Sequence, residues 1–109
     1  MATFRSTTVT NTSTNVKTSG ATVDSISIVN RHSAVIYVRF YNQTVATIQD
    51  TPVLTVAVPA TSSIRQLASN QQVPLLGTST GLCVRVVTDV AETGNTAAAT
   101  LPEIVLNYN

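Results

Sequence analysis

The sequence predicts an all-β protein, a single antiparallel β-sandwich, and three observations carry that expectation. Several runs of five to nine residues alternate in hydrophobicity with the two-residue period of a strand. Asn, Ser, Gly and Pro fall between those runs, where turns need them. The composition agrees: 43% of the 109 residues are apolar but only 10% are charged, against about 25% in ordinary soluble domains. The polar surface must come from Thr, Ser, Asn and Gln, and Val and Thr suit a pleated sheet. A chain of 109 residues makes one core and would not survive division into two.

Residues 1–20 are rich in Thr, Ser and Asn, with Phe4, Val9 and Val16 as their few large apolar side chains. They are expected to form an extended arm or a loose edge strand rather than a core element, leaving residues 21–109 as the sandwich domain. ATVDSISIVN, from residue 21, gives a strand with Ile26 and Ile28 on one face and a turn at Asn30 to Ser33. AVIYVRFYN, from residue 34, gives the next, and in the loop after it Val45 and Ile48 are the apolar interruptions before Asp50-Thr51-Pro52. VLTVAVPA places Leu54, Val56 and Val58 inward, and Pro59 ends it because proline cannot donate to a ladder. Residues 61–81 are less regular: Ile64, Leu67 and the run VPLLG at 73–77 predict one helical turn or a short strand. GLCVRVVTDV has Leu82, Val84 and Val86 on one face and Cys83, Arg85 and Val87 on the other. EIVLNYN closes the chain with Ile104, Leu106 and Tyr108 in register. Strands joined this way, with no long helix, fit a sandwich of jelly-roll or immunoglobulin-like type with an N-terminal arm.

The stretch AVIYVRFYN raises a question of its own. Ala34, Ile36, Val38 and Phe40 make an apolar face. The opposite face reads Val35, Tyr37, Arg39, Tyr41. Tyrosine and arginine are enriched at binding hot spots, since a ring buries large area while its hydroxyl still finds a partner. The expectation is an outward interface formed by Tyr37, Arg39, Tyr41 and Val35, with Phe4 and Val9 of the arm contributing to contact with a neighbour.

Chemistry is sparse. The formal charge is +1 and the six basic residues do not cluster, which argues against nucleic-acid binding. The single Cys83 excludes an intrachain disulfide and a cysteine zinc cluster. His32 is the lone histidine, in a turn, and no serine sits in a G-x-S-x-G elbow. Asp24, Asp50, Asp89, Glu92 and Glu103 are read as turn-formers or solvated charges rather than a carboxylate pair. Asp89 and Glu92 lack the spacing of a calcium loop, and the glycines at 77, 81 and 94 lack that of a phosphate cradle. No cofactor, metal or enzymatic activity is expected. The N-terminus lacks a signal-peptide core and no window reaches the ~20 apolar residues of a membrane helix, so synthesis in the cytoplasm and no membrane partner are expected. The N-x-S/T matches at Asn11 and Asn42 then carry no glycosylation signal.

From Ser27 onward the chain resembles a group of small phage virion accessory proteins. The likeness rests on SIVNRHSAVIYVRFYN, DTPVLTVAVPATSS, STGLCVRVVTDVAETGNTAAA and EIVLNYN, which match that group in strand order and turn chemistry over roughly the last eighty residues. ATSSIRQLASNQQVPLLG departs from it where the group has a glycine-rich turn and a short apolar strand, and the arm before residue 20 has no counterpart. The resemblance implies a non-enzymatic capsid decoration or cement protein residing in the virion. It would bind the major capsid protein or another virion protein and self-associate, with a trimer favoured. A tail, neck or fibre accessory module is the alternative, and a carbohydrate-binding β-sandwich a further one.

Overall fold

The computed structural model describes residues 2–47, 49–68 and 74–109; Ile48 and Val73, the first residue of VPLLG, lie outside them. Nine strands follow one another: β1 Ala2–Ser6, β2 Thr14–Lys17, β3 Thr22–Val29, β4 Ile36–Tyr41, β5 Leu54–Val58, β6 Ser63–Leu67, β7 Leu76–Gly77, β8 Leu82–Val87 and β9 Glu103–Tyr108. One sheet has the order β1-β9-β3-β6, with β7 also on β3, and the other has β2-β8-β4-β5. Every pairing is antiparallel. The sheets pack face to face over Ile26, Ile28, Ile104 and Leu106 from the first and Val38, Phe40, Val84 and Val86 from the second. The all-β sandwich expected from the alternation is therefore the fold.

Local chemistry explains most elements. In β4 the inward Ile36, Val38 and Phe40 are fully buried, as their spacing demands. Ala34, expected beside them, is exposed, because the strand starts only at Ile36 and residues 31–35 complete the turn. In β3 both Val23 and Ile26 face the core, an odd and an even position. A register shift between Val23 and Ser25 makes that possible, since a bulge advances the side-chain phase by one residue. β5 alternates as its sequence does, with Val56 and Val58 buried and Thr55 and Ala57 exposed. The region of uncertain regularity forms β6 and β7 and contains no helical turn among the described residues.

The turn after β3 is organised by a buried side chain. Asn30, 1% exposed, donates from Nδ2 to the carbonyls of Ala34, Val58 and Pro59, and accepts the His32 N–H on Oδ1 at 2.9 Å. It thus ties the β3–β4 turn to the end of β5.

The N-terminal segment is not a free arm: it forms two edge strands, the alternative expected, while its Val9 enters the core against expectation. β1 pairs with β9 from Ala2↔Tyr108 to Ser6↔Ile104, and β2 pairs with β8. Between them Val9 is fully buried in the core, and the Thr10 carbonyl accepts the Val86 N–H at 2.9 Å. The segment completes both sheets of its own molecule. Its Thr and Ser residues hide the alternation, because small hydroxyl side chains occupy inward and outward positions alike. The pairing itself joins residues about a hundred positions apart, beyond any local pattern.

Candidate functional site

The Tyr-Arg row of β4 lies on the outer face of the second sheet, but loops cover that face. Arg39 is 1% exposed and Tyr41 is fully buried. Tyr37 is half-buried and Val35 is at the margin of exposure. Phe4 packs partly against the core, and Val9 lies within it. Of the residues expected to form an outward interface, Arg39, Tyr41 and Val9 are buried and Phe4, Tyr37 and Val35 keep partial access, so the row as a whole is not a free surface. Tyr37, Arg39 and Tyr41 lie on the side of β4 opposite the buried Ile36, Val38 and Phe40, whereas Ala34 and Val35 precede the strand and are exposed. What covers Arg39 and Tyr41 was not visible.

The cover is held by two arginines. Arg39 and Arg85 stand directly opposite each other on β4 and β8, both 1% exposed. Arg85 donates from Nε to the Asn11 carbonyl at 2.8 Å, from Nη1 to the Tyr41 hydroxyl at 3.0 Å and from Nη2 to Asn95 Oδ1 at 2.7 Å. One side chain therefore pins residues 9–13 and residues 88–98 to the sheet. Asn11 Nδ2 closes the bracket by donating to the Asn95 carbonyl at 2.8 Å. Arg39 is less well provided. Its Nη2 donates to the carbonyls of Asp89 and Val90, each at 2.9 Å, while Nε and Nη1 are buried without a hydrogen-bond partner among the described residues. The Tyr37 ring lies beneath its guanidinium at 5.6 Å, which offsets part of that deficit through its negative face.

No carboxylate pairs with either arginine; the ion pair among the described residues is Arg5–Glu103, at 3.0 Å on the surface. Like charges directly opposite in a sheet repel, and burial without a counter-ion adds a desolvation cost. Carbonyl dipoles from the two loops compensate instead. The covering loop has its own lock: the Asp89 carboxylate accepts the Thr96 N–H at 2.7 Å and the Thr96 hydroxyl at 3.2 Å. The Thr96 backbone bond, then its hydroxyl, with the Arg39 charge nearby, holds the Asp89 carboxyl below the usual carboxylate range. Gly94 packs so tightly on the Asp89 side chain that a Cβ there would collide with it.

Chemically this assembly grips backbone; it does not activate a substrate. Asp50 serves its own turn, taking the Thr47 N–H at 2.7 Å, the bond that chiefly lowers its carboxyl from the usual value. Cys83 is buried beside Tyr41 and Ala46, and burial pushes its thiol above the ordinary range, the opposite of an activated cysteine. No group of three His, Cys, Asp or Glu residues placed to hold a metal occurs among the described residues. No helix among them is long and apolar enough to cross a membrane.

The outer face of the first sheet carries polar side chains. Thr3 donates to Asn107 Oδ1 at 3.0 Å and Asn107 Nδ2 donates to Ser25 Oγ at 2.6 Å, a polar chain running across β1, β9 and β3. Beside it a depression of about 270 Å³ is lined by Ser25, Ile26, Ser27, Arg65, Val105 and Asn107, a mixed polar and apolar surface.

Arg85, Asn95, Asn11 and Asp89 were missed as a unit by sequence reasoning. One signal was present: each arginine sits between core valines or phenylalanine, in VRF at 38–40 and VRV at 84–86. An arginine inside an uninterrupted strong strand is often covered on its other face. No protein-family model, curated protein or solved structure matches the chain.

Proposed function

We propose that this protein is a non-enzymatic structural component of a phage particle, a head decoration or cement protein that binds the major capsid protein or another virion protein. The observation that carries the reading is the winding of the chain. It changes sheet at every connection except β4–β5 and β6–β7, and so builds the interleaved orders β1-β9-β3-β6 and β2-β8-β4-β5. We read this as a jelly roll, an architecture that recurs in viral capsid and lectin domains. Fold alone leaves function open, so the resemblance of residues 27–109 to phage virion proteins adds the second support. The uncharged polar surface adds a third, since weak self-repulsion suits a subunit covered by neighbours. A tail, neck or fibre module shares each of these features.

The carbohydrate-binding reading has one specific support, the depression on the first sheet with hydroxyls and an amide in its lining. Against it, Tyr41 is buried and no aromatic ring lines that depression. Quantitative mass spectrometry of purified particles tests the main reading. Copy numbers matching the capsomer lattice are expected; a handful per particle would move the protein to the tail or neck. Absence from particles, with retention on a glycan array, would replace the virion reading by the lectin one.

A further inference from the structure

Among the described residues the second sheet ends at β5, an edge strand without the usual protections, and we infer that β5 pairs antiparallel with β5 of a second copy across a twofold axis. Free sheet edges are templates for another strand, and proteins guard them with charge, bulges, proline or brevity. The other three edges are guarded. β1 carries Arg5, ion-paired with Glu103; β2 spans four residues, carries Lys17 and has a register shift; β6 carries Arg65. β5, LTVAV, has neither charge nor proline within it, and its ladder to β4 runs from Ile36↔Val58 to Phe40↔Leu54 without a shift.

The hydrogen-bond phase shows which groups are on offer. The Val86 N–H goes to Thr10, away from β4. Alternation then turns the backbone of Val38 toward β5 and that of Val56 toward Val38, leaving the N–H and C=O of Thr55 and Ala57 at the open edge. Thr55 and Ala57 are both exposed.

A second copy is the occupant because the strand is its own complement. About Val56 the pattern is symmetric: small Thr55 and Ala57 outward, apolar Leu54 and Val58 inward. With Val56 on the axis, each Thr55 exchanges two hydrogen bonds with the other copy's Ala57, and no like charges meet. Pro52 and Pro59 end the pairing on either side. Apolar area is available beside the seam. Val35, exposed by 36%, and Val53, by 47%, immediately precede β4 and β5, and Val90, by 77%, rides on the carbonyl bonded to Arg39. A closed, isologous pair of this kind consumes both edges and leaves no further template. It gives a dimer rather than the trimer expected from the sequence, and it stands independently of the virion reading.

Sedimentation equilibrium on three chains tests it. The unmodified chain should dimerise. Thr55→Lys with Ala57→Lys sets lysines against each other across the axis and should weaken dimerisation by at least about tenfold. Thr55→Lys with Ala57→Glu sets lysine against glutamate and should dimerise as tightly as the unmodified chain or more so. Both doubles change exposed side chains only, and circular dichroism checks their folding. In the unmodified chain, hydrogen exchange at the Thr55 and Ala57 amides should slow as concentration rises. A monomer at all concentrations, two doubles that associate equally, or amide exchange independent of concentration would each overturn the pairing.

Discussion

Arg39 and Arg85 are matched in type, burial and position, yet the structure assigns them unequal energetic weight. Replacing each by Met, which keeps most of the buried volume, exposes the difference. Arg85→Met removes three hydrogen bonds of 3.0 Å or shorter. It strands the Tyr41 hydroxyl, whose residue is fully buried, at about 1–3 kcal/mol. Two loop anchors worth about 1 kcal/mol each go with it, so a total near 3–5 kcal/mol is expected. Arg39→Met also removes two bonds, but their acceptors include the carbonyl of Val90, 77% exposed, where water can replace the donor. In return it eliminates two orphaned buried donors, each a burden of about 1–3 kcal/mol, whereas relief of the like-charge opposition is common to both variants. The net change should lie within about 1 kcal/mol of zero. For a domain of this size about 1 kcal/mol shifts Tm by roughly 4–8 °C, so urea and thermal unfolding separate the two variants easily. Equal destabilisation by both, or a greater loss for Arg39→Met, would refute the reasoning that hydrogen-bond satisfaction decides the worth of these arginines.

Three further outcomes follow from the same geometry. The Asp89 carboxyl is depressed, so its lock on Thr96 is present above the ordinary carboxylate pKa of about 3.9 and lost as pH falls through the depressed value; the Thr96 amide should exchange faster only at such acidic pH, and in Asp89→Asn that dependence should vanish. Gly94→Ala drives a methyl into the Asp89 side chain and should cost about 1–3 kcal/mol, the range for overpacking, read by chemical denaturation. Val9→Ala should cost about 1.5–3 kcal/mol by loss of a fully buried side chain, and deleting residues 1–17 should abolish the cooperative thermal transition; a shortened chain with an unchanged Tm would return the segment to a dispensable arm.

The fold was legible wherever a strand buries one face and keeps the other for polar residues. Ile36, Val38 and Phe40, or Ile104 and Leu106, declare their side by spacing alone. What was not legible depends on partners far away in the chain. The Thr-rich start of the sequence has no pattern of its own, and its pairing with β9 and β8 supplies the structure that its composition does not. The bulge that brings Val23 and Ile26 to one face is likewise a consequence of pairing. For the candidate site, direction was readable but exposure was not. Outward is a property of a strand, whereas accessible depends on loops, and residues 88–98 contain little except small and polar residues to announce that they fold back.

The row of tyrosines around an arginine in β4 is therefore a fastening device. A sheet with Val, Ile and Phe on one face needs something on the other, and this chain uses long cationic side chains whose stems fill space and whose heads grip carbonyls. Carbonyl acceptors suit that purpose better than carboxylates would. They belong to the loops themselves, so each hydrogen bond fixes backbone directly, and a guanidinium with five donors can hold several strands of chain at once. Arg85 does this for residues 9–13 and 88–98 together, and the first of these leads straight into β2. The price is positive charge buried on one side of the second sheet. Asp89 binds Thr96 with its carboxylate, and Arg39 adds only a minor charge effect there, so the carboxylate does not compete for the donors that hold the loop. With that face closed, the sheet edges among the described residues remain for a partner, and of the edge strands five residues long β5 alone carries no charge.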